Sequence, residues 1–297
     1  MPDVVYSAIL GGTTVKQIAS SSFNENIAIL AARTSGSGVI ADQFIDQISP
    51  MGEITTTDIA NFLAAFGVSG SQITDGSTVK IPYQKRANGS TFGGAGTNMM
   101  IKGKADNPVQ LVPQSVTAPR QGAVTASGQV HFLSSDGLTM PHDVLTAQDL
   151  TAETFNSMYR LGPVYINGTQ LPKGVGFTVN FGVGLSEKQH FDGATYPTEV
   201  YKETFDPYIE ITAEDFDILD TISGGLAITD VRAFLLKRAS GSTIAAYGSA
   251  VHTKFSFATG LVTPQQISAS DTKHGQAAIR FSGRTLVVST SSAVAGA

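Results

Sequence analysis

The chain has 297 residues, of which 14% are charged, with a net charge of −5 and no cysteine. Without cysteine it can form neither a disulfide framework nor a thiolate metal site, and without a basic patch we expect no sequence-specific binding of DNA. No apolar run approaches the roughly 18 residues of a membrane span, and the start MPD is unlike a secretion signal. Abundant glycine, serine and threonine favour strands and turns, so we expect a soluble, mainly β protein.

The first predicted element is a β-hairpin. An apolar segment, residues 4–10 (VVYSAIL), stops at Gly11 and Gly12 and resumes as TTV. This pattern is typical of two strands joined by a two-residue turn. The same pattern occurs at residues 164–171 (VYINGTQL), where the turn is Asn-Gly. Asn-Gly predicts a type I′ turn more strongly, because both residues tolerate positive φ.

Two longer hairpins are expected next. One covers residues 23–48 and turns near Gly36, and the other covers residues 181–205 and turns near Gly193. Residues 26–32 (NIAILAA) also fit a short helix, so that segment has two interpretations.

Two short amphipathic helices are predicted after these hairpins. Each follows a T-x-x-D sequence, at 55–58 and at 212–215, that resembles a capping box, and each ends at a glycine, Gly67 or Gly224. The apolar residues at helical spacing are Ile59, Phe62, Leu63 and Phe66 in the first helix, and Phe216, Ile218 and Leu219 in the second.

The two parts of the chain share further motifs in the same order. The sequence KRANGST at 85–91 is repeated as KRASGST at 237–243, and PxxEITxxD occurs at 50–58 and at 207–215. A Pro-Gln pair at 113–114 likewise has a counterpart further along the chain, Pro264-Gln265. Collinear matches with a period of about 150 residues indicate one whole domain used twice. The tandem duplication predicts a first domain at 1–145, a linker at 146–160 and a second domain at 161–297.

No pattern of residues indicates catalysis. The five histidines are scattered and no HExxH or GxSxG motif occurs, while the glycine-rich stretch at 92–96 lacks the GK[ST] of a phosphate loop. We therefore expect no catalytic, cofactor-binding or metal-binding residues and no enzyme activity. Carboxylates are crowded at 192–215, and a solvated or lumen-facing acidic surface explains them better than an acid–base or calcium site.

Three segments of the second copy carry a resemblance to a known family. They are VYINGTQL at 164–171, DGATYPT at 192–198 and DPYIEIT at 206–212. In these segments the chain resembles the major tail, or tail tube, proteins of long-tailed bacteriophages. The first copy departs from the pattern, with Gly-Gly in place of Asn-Gly at its turn.

The resemblance implies both an architecture and a role. Each copy would be a β-sandwich or half-barrel with one flanking helix, and the inner strands of neighbouring copies would close a barrel. Such rings would stack into the tube through which genome DNA leaves the virion. Rings of this family generally contain six domains, so two domains per chain predict a homotrimer with pseudo-six-fold symmetry.

The resemblance also implies partners and a lining. The chain would be made in the host cytoplasm and reside in the phage tail, contacting itself, the tape measure, terminator and distal tail proteins, and passing DNA. An acidic wall would repel DNA, with Glu199, Glu203 and Asp206 as the lumen-facing candidates. Alternatives are a distal tail or baseplate ring protein, a head decoration protein, or a carbohydrate-binding β-sandwich, although the absence of tryptophan weakens the last.

Overall fold

A computed structural model describes residues 6–33, 40–84, 86–87, 91–92, 96–150, 158–188, 193–214, 225–238, 243–270 and 273–294. These residues form antiparallel sheets and one α-helix, which confirms the expected mainly β fold. We call β1 to β14 the first half and β15 to β26 the second half.

The first half contains β1 Ala8–Leu10, β2 Thr13–Val15, β3 Ile18–Asn24, β4 Ile27–Arg33, β5 Ile40–Ile48, β6 Met51–Thr56, α1 Ile59–Phe66, β7 Ser71–Ile73, a 3-10 turn Gly76–Thr78, β8 Lys80–Tyr83, β9 Arg86–Ala87, β10 Thr91–Phe92, β11 Asn98–Gly103, β12 Val109–Pro119, β13 Thr125–Phe132 and β14 His142–Gln148. The second half contains β15 Tyr159–Ile166, β16 Thr169–Gln170, β17 Gly174–Asn180, β18 Val183–Lys188, β19 Glu199–Phe205, β20 Tyr208–Ala213, β21 Leu226–Ile228, β22 Val231–Lys237, β23 His252–Phe257, β24 Gly260–Ser270, β25 Lys273–Ser282 and β26 Leu286–Ser292.

The predicted hairpins are present. Gly11 and Gly12 have φ of 60° and 85°, and Asn167 and Gly168 have φ of 48° and 81°, as a two-residue type I′ turn requires. Residues 27–33 form β4, paired with β5, so the strand interpretation of that segment is confirmed and the helix interpretation is wrong. The turn near Gly36 lies outside the described residues.

Helix α1 buries the apolar face that its spacing predicts, but its N-cap is not the residue that the capping-box pattern predicts. Ile59, Phe62 and Phe66 are each 0% exposed, and the helix ends at Gly67, whose φ is 67°. Asp58, not Thr55, is the N-cap: its Oδ1 accepts from the backbone N–H of Asn61 at 3.5 Å. Thr55 instead lies in β6, because that strand continues to Thr56. The second predicted helix lies outside the described residues.

The two halves pair their strands in the same order. One five-stranded sheet runs β14-β11-β8-β1-β2, and the other runs β26-β23-β22-β15-β16. In the ten-stranded sheet, the first half contributes β12-β13-β6-β3, with β7 beside β12, and the second half contributes β24-β25-β20-β17, with β21 beside β24. Even the irregularities agree, since β12 bulges between Pro113 and Ser115 and β24 between Pro264 and Gln266. Strands at the same place in this order are called matching strands below.

The halves share one hydrophobic core. The inner face of the ten-stranded sheet packs on the five-stranded sheets, and a Cβ added at Gly52 of β6 would lie 2.9 Å from Cδ1 of Ile81 in β8. Helix α1 covers the same face, with Phe66 against Gly128 of β13. This two-layer packing confirms the expected β-sandwich character. The tandem duplication and the domain limits at 145 and 160 stay predictions.

Candidate assembly interface

The halves join where two strands of the ten-stranded sheet meet edge to edge. β12 of the first half pairs with β17 of the second half, from Ser115 opposite Asn180 to Pro119 opposite Gly176. On the same edge of β12, its first residues Val109–Leu111 pair with β7. We call the contact between β12 and β17 the internal seam.

Polar contacts beside the internal seam also join the halves. Arg120 and Glu214 form an ion pair at 2.9 Å, and Nδ1 of His131 lies 2.7 Å from Oε1 of Glu187. Burial would raise the pKa of Glu187, but its hydrogen bonds with His131 and Ser49 outweigh burial and lower that pKa. The carboxylate of Glu187 is therefore stabilised by the first half.

The β18–β19 hairpin of the second half also lies on the first half. The connection between its two strands is bound to the first half by backbone hydrogen bonds. The N–H of Ile48 donates to the carbonyl of Thr195 at 2.8 Å, and the N–H of Ser134 donates to the carbonyl of Pro197 at 2.9 Å. The N–H groups of Thr195 and Tyr196 both donate to the carbonyl of Gly137. A strand edge and a hairpin thus act together to join the halves.

The outer edges of the ten-stranded sheet match the two strands of the internal seam. β24 matches β12, and its start, Gly260–Val262, is covered by β21 as β7 covers β12. Beyond Val262, β24 pairs only with β25 among the described residues, and we call residues 263–270 the β24 edge. β3 matches β17 and, within the described part of the chain, pairs only with β6, so we call it the β3 edge.

Both edges are more exposed than their matches in the internal seam. Val116 of β12 is 0% exposed, whereas Ile267 at the same place after the bulge of β24 is 64% exposed. Pro113 is buried and Pro264 is exposed. On the other side, Val179 of β17 is buried and Phe23 of β3 is only half-buried. A large exposed apolar side chain on an unpaired sheet edge is a liability for a protein that stays monomeric.

The candidate acids of the second half lie on a hairpin. Glu199 and Glu203 are exposed on β19, Asp206 is exposed just after it, and none of the three lies in a strand of the ten-stranded sheet. The two hairpins carry the same alternation of acid, aromatic, acid and apolar residue: Asp42, Phe44, Asp46 and Ile48 on β5, and Glu199, Tyr201, Glu203 and Phe205 on β19. Each hairpin has a bulge at its second acid, and the β4–β5 hairpin has a further bulge between Ala32 and Arg33. Whether these acids face a lumen stays a prediction.

The open face of the ten-stranded sheet is polar and carries two acids, of which Glu210 belongs to the carboxylate-rich segment at 192–215. Glu53 on β6 and Glu210 on β20 are matching residues and both are exposed, while Ile54 between Glu53 and Thr55 is fully buried. One row of residues across this face reads Ser20, Thr55, Ser127, Ser115, Asn180, Tyr208, Ser282 and Leu261, so it is polar except at its last strand. Alternation in the repeated motif E-I-T could have identified this face.

Comparison with known proteins gives no assignment. No protein-family model matches the sequence, and the curated proteins contain no match. Within the described residues, no group of three or more His, Asp and Glu side chains is placed to hold a metal ion. Across those same ranges, no helix has the length and apolar character that crossing a membrane would need.

Proposed function

We propose that the chain is a structural protein whose copies join edge to edge into a closed ring, and that stacked rings form a phage tail tube. One observation carries the proposal: the two edges at the ends of the ten-stranded sheet match the two strands that are already paired at the internal seam. A β24 edge can therefore receive the β3 edge of the next copy, as β12 receives β17. Contacts of this kind are head-to-tail, and they close a ring when every step turns by the same angle.

The internal seam supplies the register of the proposed ring seam. Transferring the pairs from β12 and β17 places Gln266 opposite Asn24, Ile267 opposite Phe23, and Ser268 opposite Ser22. Ile267 would then be covered as Val116 is, and the serines would face each other as Thr117 and Thr178 do, with hydroxyl oxygens 3.4 Å apart. Closure removes both exposed edges of the sheet.

The resemblance to tail tube proteins supports six halves per ring, and hence three chains. The ten-stranded sheet would then continue around the ring as a barrel, with its buried face outward against the five-stranded sheets. Its open face would line the channel with hydroxyl and amide groups, with Glu53 and Glu210, and with Arg280, which lies opposite Glu210 on β25. These three positions bring two acids and one cation from each chain. Negative charges repel DNA over about 10 Å at physiological salt, which favours sliding over sticking.

The same proposal places the chain in the virion without enzymatic activity. Its partners would be the proteins that begin, measure and end a tail tube. Glu199, Glu203 and Asp206 remain candidate lumen residues, at the hairpins rather than on the barrel wall.

Electron microscopy of the purified protein tests the proposal. We expect rings with three-fold symmetry and hollow tubes, and light scattering should give three chains for an isolated ring. Ile267→Lys should leave a folded monomer, because a charged edge opposes strand pairing. Val287→Lys, at a residue that is 50% exposed on β26, is the matched control and should still assemble. Six chains per ring would refute the three-chain ring, and normal assembly of Ile267→Lys would refute the proposed seam.

A further inference from the structure

A groove of about 510 Å³ lies on the second half at the start of β24 and the end of β25. Asp206, Leu261, Ser282 and Arg284 are among its lining residues. Leu261 is 47% exposed there, so the groove has an apolar wall open to solvent.

The first half has a matching place, and a strand of the second half occupies it. Ser282 matches His131. Ser282 lies opposite Leu261, the second residue of β24, and His131 lies opposite Gln110, the second residue of β12. Asp206 matches Ser49, because each follows the last strand of a hairpin. In the first half, both His131 and Ser49 contact the carboxylate of Glu187 on β18.

The strand that matches β18 is β4, and it lies exposed. From Ile27 to Ala32 every side chain of β4 is exposed, including Ile29 at 58% and Leu30 at 56%. In β18 the side chains from Val183 to Glu187 are all half-buried. A run of six apolar residues in water is costly, since each large aliphatic side chain gains from burial.

We propose that β4 of one copy lies in this groove of the neighbouring copy, as β18 lies on the first half. The inference rests on the proposed ring, and it adds the hairpin as a second contact beside the β24 and β3 edges. It names β4 as the occupant and the second half as its receptor.

The chemistry of the matching residues supports the occupant. The register of the two hairpins matches Glu187 with Ala31. At the internal seam, a carboxylate meets the imidazole of His131. In the groove the imidazole is replaced by the hydroxyl of Ser282, and β4 brings the methyl group of Ala31 instead of a carboxylate. Both members of the pair differ together, so Ala31 facing Ser282 leaves no unpaired charge at this position.

Cysteine cross-linking tests the proposal, and the chain has no cysteine of its own. Assembled protein carrying Ala31→Cys and Ser282→Cys is treated with a short bismaleimide and run on a denaturing gel. Bands at two and three times the 31.0 kDa chain mass are expected. Either substitution alone should give a single band. The matched pair Glu187→Cys and His131→Cys should cross-link within one chain and give no ladder.

A second pair, Ser22→Cys and Ser268→Cys, tests the ring seam by itself. A ladder from both pairs supports the hairpin contact. If only the Ser22 and Ser268 pair gives a ladder, the ring stands and the hairpin inference is overturned. If neither pair gives a ladder, the ring proposal fails and the hairpin contact fails with it.

Discussion

Shortening Ile267 to alanine should weaken assembly without weakening the chain. Burying an isoleucine side chain contributes about 1.5–3 kcal/mol, and 64% of Ile267 is exposed before assembly, so each ring seam should lose about 1–2 kcal/mol. Three seams give about 3–6 kcal/mol per ring. The protein concentration for half-assembly of a three-membered ring varies with the square root of the ring constant, so it should rise on the order of ten- to a hundredfold. The free energy of unfolding of the monomer should change by less than about 0.5 kcal/mol.

Sedimentation at a series of concentrations measures the half-assembly point, and urea unfolding measures the chain. Val116→Ala is the matched control, because Val116 occupies the same place in the internal seam and is fully buried. It should lower the free energy of unfolding by about 1–3 kcal/mol and leave the seams between chains intact. An unchanged half-assembly point for Ile267→Ala would refute the match between the seams, as would an unchanged unfolding free energy for Val116→Ala.

Three further variants test other contacts. Gly128→Ala places a Cβ 2.5 Å from Cε1 of Phe66, so the free energy of unfolding in urea should fall by about 1–3 kcal/mol. Adding Phe66→Leu should restore part of this loss, and no loss would contradict the packing of α1 on β13. Glu187→Gln removes a carboxylate whose pKa folding lowers from 4.5, and such a group stabilises above pH 4.5 and loses its effect as pH falls through the lower folded value. The variant should therefore be less stable than the native chain at pH 7, and this difference should shrink by pH 3. An equal difference at both pH values would argue against stabilisation of the Glu187 carboxylate by these hydrogen bonds. Tubes carrying Glu53→Lys and Glu210→Lys should bind short duplex DNA in fluorescence anisotropy and release it at high salt, whereas native tubes should not bind it; binding by native tubes would speak against a repelling wall.

Local chemistry explains which elements could be predicted from the sequence. The turn at Asn167 and Gly168 needs positive φ at both residues, and few other residue pairs tolerate it. The buried face of α1 follows from apolar spacing alone. The T-x-x-D pattern predicts Thr55 as the N-cap, whereas Asp58 is observed, and both residue types can cap a helix. Thr55 and Thr56 are β-branched and pair with β13, which extends β6 and leaves Asp58 as the cap.

The seam could not be predicted in the same way. β12 and β17 are separated by several strands in the sequence, and their pairing depends on two edges that become available only when each half has folded. Nothing in the residues of β12 selects β17 over another exposed strand of similar length. Glu53 and Glu210 belong to the repeated motif PxxEITxxD, in which the predicted helix start T-x-x-D follows directly. Their strands alternate buried and exposed residues, and that alternation separates the acids from the core.

Because β3 matches β17, both strands could pair with the same edge of β12. A β12 edge could in principle take the β3 of a foreign chain in place of its own β17. Pairing within the chain has two advantages. First, β17 is covalently connected to β12, which gives it an effective concentration that a separate chain would match only at about millimolar levels. The second is that Glu187 and Glu214 pair with His131 and Arg120, while the matching positions in the first half are Ala31 and Thr57. First and second halves would thus alternate strictly around a ring. In each chain β12 would pair with its own β17 before the chain contacts another copy.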